Sequence, residues 1–207
     1  AAARDAFGPV RVLVNNAVAL EIRRKDGRVD LCILPGAANG SEAVEPTHNI
    51  RMTGALAFIT LGCPKNTVDS EHMIGLLVQA GFRTVADPAE AEVVVINTCG
   101  FLQSAVRESK SAIEEIVACK GRGRLRRIIV AGCLAQRAGP ALLEEFPEVD
   151  AVLGTGQWSE VARVASHLLD GADTRPVMIE HPGGALEPLG PRPLSTPRHI
   201  AYLKISE

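Results

Sequence analysis

The stretch Ala57–Asp69, AFITLGCPKNTVD, decides the fold: a short apolar run ends in Cys63, and a turn leads into a helical pattern. The same device recurs twice. EVVVINTCGF places Cys99 behind Glu92–Thr98, and RIIVAGCLAQ places Cys133 behind Arg127–Gly132. Short runs rich in Val and Ile, bounded by Gly, Pro or Asn, read as buried strands. Each is followed by a helical pattern, so the repeating unit is strand, cysteine, helix. Alternation of this kind predicts a doubly wound, mainly parallel α/β sheet of the flavodoxin-like type. All strands of such a sheet point one way, and ligands collect outside their carboxyl ends. Cys63, Cys99 and Cys133 are therefore expected side by side along one edge.

Working outward, the pattern predicts strands over about 56–61, 83–85, 92–97, 127–131 and 150–153. Helices are expected over about 67–80, 103–119, 134–146 and 157–170. Asn66 or Thr67 is expected to cap the first helix, with Asp69 and Glu71 in its first turn. This cysteine-bearing domain is read as residues 52–171. After Gly171 the chain turns rich in Pro and Gly (HPGGALEPLGPRPLSTP), which reads as a linker over 172–197. The strand-like run His199–Ile205 then opens a further domain, of which 198–207 would be the start. Residues 1–51 fit poorly with the rest. FGPVRVLVNNA (Phe7–Ala17) looks like a short-chain dehydrogenase segment, but no glycine-rich loop precedes it and no Tyr-x-x-x-Lys follows. Gly36–Pro46 is small and polar, as in a loop or disorder. We expect Met52 to be the native start and 1–51 to be a non-native or poorly ordered leader.

Composition narrows the function classes. A chain of 207 residues allows one ordinary domain and some extra. Its formal net charge of −2 does not suit a general polyanion binder, and 3% aromatic residues do not suit a base-stacking platform. No apolar run approaches the roughly 18 residues of a membrane span, so no membrane partner is expected. Met52–Cys63 has no Lys or Arg after the Met and does not read as a secretory signal. The cysteines (32, 63, 99, 119, 133) are odd in number, which points to a reducing compartment, the cytoplasm, and to metal or redox chemistry rather than disulfides. There is no Cys-x-x-Cys pair, and the histidines (48, 72, 167, 181, 199) lack zinc-like spacing.

Thiolates bind metal, and a helix start lowers the pKa of a nearby thiol. Cys99 and Cys133 are expected at such junctions, whereas Pro64 after Cys63 lacks an amide hydrogen. Four-iron clusters normally take four cysteine ligands. Three protein ligands leave one iron open, as an open position marks a catalytic rather than a structural zinc. The plainer alternative is that small thiols merely fill strand ends. Cys119 and Cys32 are read as spectators. Lys120–Arg127, KGRGRLRR, reads as a solvated loop, with contact to RNA or an acidic partner the functional alternative. Gly154-Thr-Gly156 is too short for a dinucleotide fingerprint. Asn66 and Asn97 flank cysteines and read as turn-closing residues.

GCPKNTVDSE (Gly62–Glu71), INTCGF (Ile96–Phe101), AGCLAQR (Ala131–Arg137) and VDAVLGTG (Val149–Gly156) closely resemble the N-terminal domain of the methylthiotransferases, a radical S-adenosylmethionine family. The wording is similar to its RimO branch, which modifies ribosomal protein S-twelve. The MiaB branch, acting on tRNA, typically has Gln in place of Pro64 and Ser in place of Gly100. The resemblance runs from about Leu56 to Glu207 and does not reach residues 1–51. It implies that Cys63, Cys99 and Cys133 hold an auxiliary [4Fe–4S] cluster. It also implies a second [4Fe–4S] cluster, on a Cys-x-x-x-Cys-x-x-Cys motif that binds S-adenosylmethionine. RHIAYLKISE (Arg198–Glu207) is similar to the family's strand leading into that motif. The implied object is an N-terminal fragment with a truncated radical domain, no catalytic residue of its own, and no turnover alone. The full enzyme would add a methylthio group to the β-carbon of an aspartate in ribosomal protein S-twelve. Contact with the ribosome would follow, and the sulfur donor is open.

Three classes remain at this point: a methylthiotransferase fragment, with tRNA as the alternative substrate; a stand-alone iron–sulfur carrier; and a metal-free flavodoxin-like binding module.

Overall fold

The six residues VVVINT of Val93–Thr98 are buried throughout, as a strand covered on both faces must be. In the computed structural model they form the third strand of a six-stranded parallel sheet. The structure describes residues 53–180, 192–197 and 200–204, together with the strand backbones over 10–14, 18–25 and 28–35. Those last three, β1 (Val10–Val14), β2 (Val18–Lys25) and β3 (Arg28–Pro35), pair in order as a separate antiparallel sheet. Met52 and Gly36–Pro46 lie outside the described residues.

The parallel sheet contains β4 (Gly54–Thr60), β5 (Phe82–Thr84), β6 (Val93–Thr98), β7 (Arg127–Gly132), β8 (Ala151–Leu153) and β9 (Val177–Met178). Their order is β5-β4-β6-β7-β8-β9, which is the flavodoxin-like arrangement. The chain steps outward from β4 to β5, then returns to place β6 on the other side. The order therefore reverses between β4 and β6, where open α/β sheets form their ligand crevice.

Alternating strand residues serve two cores. Val94, Ile96, Ile128, Val130 and Val152 pack with Ile113, Ile116, Leu142 and Phe146 from α2 (Gln103–Cys119), α4 (Ala141–Glu145) and its end. Val93, Val95, Ile129, Ala151 and Leu153 pack with Met73, Leu77, Val164 and Leu168 from α1 (Pro64–Gln79) and α5 (Val161–Leu169). A helical layer thus covers each face, as expected from the sequence.

Several local expectations change. Helix α1 starts at Pro64, before the expected cap, and Cys63 is its N-cap residue without a side-chain cap hydrogen bond. Proline suits the first helical position because its φ is preset and its missing amide hydrogen is not needed there. Asn66, Asp69 and Glu71 consequently lie inside the helix. The single helix expected over 134–146 is two, α3 (Cys133–Ala138) and α4, because Gly139–Pro140 interrupts it. The last expected helix opens as a 3-10 turn over Trp158–Glu160. Strand β9 comes from the stretch read as linker. Residues 200–204, expected as a strand, pair with none among the described residues. They lie against α1 instead, where Lys204 Nζ meets Asp69 Oδ1 at 2.8 Å. No helix among the described residues is long and apolar enough to cross a membrane.

Candidate metal centre at the sheet switch point

Each cysteine follows a strand of the β4-β6-β7 trio, and those strands are neighbours. Cys63 and Cys99 stand on either side of the switch point, and Cys133 is next along. Cys63 is exposed, Cys99 is buried and Cys133 is half-buried; all are free thiols.

Glycines let the three loops touch. Gly62 has φ +96°, and a Cβ there would lie 2.6 Å from Cys99 Cβ and 3.0 Å from its Sγ. Only a residue without a Cβ lets the Cys63 loop approach Cys99 this closely. A Cβ on Gly100 would lie 2.9 Å from the Cys133 carbonyl oxygen. Gly132, with φ +94°, leaves no room for a Cβ against Asn97 Oδ1. The Cys63 loop thus leans on Cys99, and the Cys99 loop leans on Cys133.

Polar groups behind the thiols hold these loops. Ser109, fully buried on α2, accepts a hydrogen bond from the Cys99 amide and donates one to the Cys99 carbonyl, both at 3.0 Å. Asn66 Nδ2 donates to the Leu61 carbonyl at 2.8 Å and to the Thr98 carbonyl at 3.0 Å. The Cys133 thiol donates to Asn66 Oδ1 at 3.6 Å. Asn97 Nδ2 donates to the Asn66 carbonyl and to Ser70 Oγ, both at 2.9 Å. Asn97 Oδ1 is buried without a hydrogen-bond partner among the described residues.

Burial is the main cause that pushes the Cys133 thiol up, followed by the nearby Cys99 and Cys63 and then Asp69; Lys65 opposes them. The expected lowering by a helix start is not what this residue shows. Burial, with the thiols and Asp69 beside it, raises the group instead. Cys133 opens α3, whereas Gly100–Leu102 separate Cys99 from α2. Cys119 ends α2, a 17-residue helix that begins beside the Cys99 loop, so it lies about 25 Å along the axis. Cys32 lies on β3, in the separate antiparallel sheet.

The donor set is three thiols, the soft ligands that suit iron–sulfur clusters. Among the described residues, no group of three or more His, Cys, Asp or Glu is gathered tightly enough to hold one metal ion. Around a single ion, bonds of about 2.3 Å would draw three sulfurs almost into contact. A four-iron cluster instead gives each thiolate its own iron, so its ligands surround a body rather than a point. Sequence reasoning identified the thiols but not the roles of Asn66 and Ser109, since only the folded chain brings residues 61, 66, 98, 109 and 133 together.

The fold and the site define a doubly wound α/β domain with three thiols at its switch point. Residues 55–154 match the family described as "Uncharacterized protein family UPF0004". The chain is similar to proteins named ribosomal protein uS12 methylthiotransferase RimO. That of Anaeromyxobacter sp. (strain K) is 50% identical over 148 residues, covering 72% of this chain and 31% of the relative. That of Desulforamulus reducens is 44% identical over 153 residues, covering 74% and 34%. That of Bdellovibrio bacteriovorus is 39% identical over 150 residues, covering 72% and 33%. The chain spans about a third of the length of the curated relatives it matches. The resemblance read from the cysteine motifs is borne out.

Proposed function

We propose that residues 52–171 are the auxiliary-cluster domain of a RimO-type methylthiotransferase, with Cys63, Cys99 and Cys133 each ligating one iron of a [4Fe–4S] cluster. The observation that carries this reading is the convergence of three free thiols at adjacent parallel strand ends, on loops kept in contact by glycine. When bound, the cluster supplies an iron open to an exogenous sulfur ligand. The chain's own residues fix the three thiol-bearing loops, bury Cys99, and leave Cys63 toward solvent. The whole enzyme would add a methylthio group to an aspartate β-carbon in ribosomal protein S-twelve, in the cytoplasm. It would use S-adenosylmethionine and a second [4Fe–4S] cluster, for which this chain has no Cys-x-x-x-Cys-x-x-Cys motif. The linker 172–197 would join the domain to that radical unit. The Pro64 and Gly100 wording favours the ribosomal protein over tRNA.

The test is anaerobic reconstitution with iron and sulfide, followed by iron counts for wild type and single Cys→Ala variants. About four irons per chain are expected in wild type. Cys63→Ala, Cys99→Ala or Cys133→Ala should lose or labilise them, and Cys119→Ala should not. Absence of specific uptake by wild type would sink the reading.

A further inference from the structure

Asn66 touches the supports of all three cysteines. It sits in the first turn of α1, three residues after Cys63, and is only 2% exposed. Its amide nitrogen has two hydrogens, and both are used: one reaches the Leu61 carbonyl, two residues before Cys63, and the other the Thr98 carbonyl, next to Cys99. Two carbonyl acceptors settle which end of the amide is nitrogen, because an oxygen in that place would face two other oxygens. The oxygen must then point the opposite way, and there it receives the Cys133 thiol. Asn97 holds the Asn66 backbone from β6. One side chain therefore joins the ends of β4 and β6 and the start of α3, which no covalent bond connects.

We infer that Asn66 is the positioning residue of the three-thiol site, tying the Cys63 and Cys99 loops together through its amide nitrogen while its oxygen receives the Cys133 thiol in the metal-free chain. This rests on the cluster reading above, and it adds a specific requirement. The side chain must be a short amide. Aspartate has the same shape but places oxygen against the Leu61 and Thr98 carbonyls, so it cannot substitute. Glutamine is one methylene too long for a site this buried.

The test compares wild type with Asn66→Asp, Asn66→Ala and a control, Val164→Ala, which trims the core under α5 away from the thiol loops. Two readouts are needed. In the metal-free chain, alkylation of each cysteine by iodoacetamide is followed by mass spectrometry. After iron–sulfide reconstitution, the loss of the visible charge-transfer band to a chelator is timed. Both Asn66 variants should alkylate at Cys99 at least fivefold faster than wild type, and should lose the band at least tenfold faster. Val164→Ala should match wild type in both. Wild-type kinetics in Asn66→Asp would overturn the inference, as would equal effects from Val164→Ala at a comparable melting temperature. If wild type takes up no iron, the cluster reading fails by itself; the alkylation rates still judge whether Asn66 holds the thiol loops.

Discussion

At the scale of single residues, the three cysteines are chemically unequal. Cys63 is exposed, Cys99 is 8% exposed, and Cys133 is half-buried with its thiol pushed up. The thiolate is the nucleophile, so a raised pKa means a smaller reactive fraction at a given pH. For Cys133 that fraction should still be climbing above the ordinary thiol value of about 8.5. In the metal-free chain at pH 8, iodoacetamide should label Cys63 at least about fivefold faster than Cys133, read by mass spectrometry. The Cys133 rate should continue to rise beyond pH 9. A second residue-level prediction concerns Gly132. Alanine there would take a left-handed backbone and meet Asn97 Oδ1. Gly132→Ala should cost about 3 kcal/mol in a urea melt, from strain plus the forced shift of Asn97.

At the scale of elements, α1 does more than cover the sheet. Its Glu71 is 1% exposed, yet it is satisfied: Arg192 Nε lies at 2.7 Å from Oε2, and the Ser195 amide and hydroxyl donate to Oε1 at 2.6 and 2.7 Å. Lys204 meets Asp69 on the same helix. Both acids were expected to favour the helix dipole in a first turn. Instead they anchor the segment that follows the domain. A buried carboxylate that loses its cation keeps its desolvation cost. Arg192→Ala should therefore lower stability by about 2 kcal/mol, the Ser195 bonds retaining part of the compensation. Amide exchange over 192–197 should accelerate with it; unchanged exchange would mean the segment is held by other contacts. Helices α3 and α4 show a lesson of the opposite kind, since Gly139–Pro140 was readable as a break but the apolar pattern on either side masked it.

At the scale of the whole molecule, the sheet has two chemically different edges. Its carboxyl edge carries the cysteine loops, while the basic run Lys120–Arg127 enters β7 at the amino edge. Two of its five cations are engaged by Asp150: Lys120 Nζ at 2.6 Å and Arg127 at 2.9 Å. Arg122, Arg124 and Arg126 are exposed. Replacing these three with Ala should leave iron loading unchanged and stability within about 1 kcal/mol, since exposed surface substitutions are individually small. Weakened RNA binding by this triple variant, with its stability intact, would revive the nucleic-acid reading of this run.

Local pattern and covalent order carried much of this protein's description. The strand–cysteine–helix repeat predicted a doubly wound parallel sheet, because strand periodicity and right-handed crossovers leave few other topologies. The same repeat placed three thiols at carboxyl ends. Tertiary structure decided what depends on distant partners: that β4 and β6 flank the switch point, that Asn66 bridges two strand ends and meets Cys133, and that Glu71 and Asp69 hold Arg192, Ser195 and Lys204. A buried amide or carboxylate is satisfied only by groups that folding brings to it, and those groups lie up to 135 residues away along the chain. Strength of local pattern made the cysteines legible, and absence of any local signal for such partners kept their supports hidden.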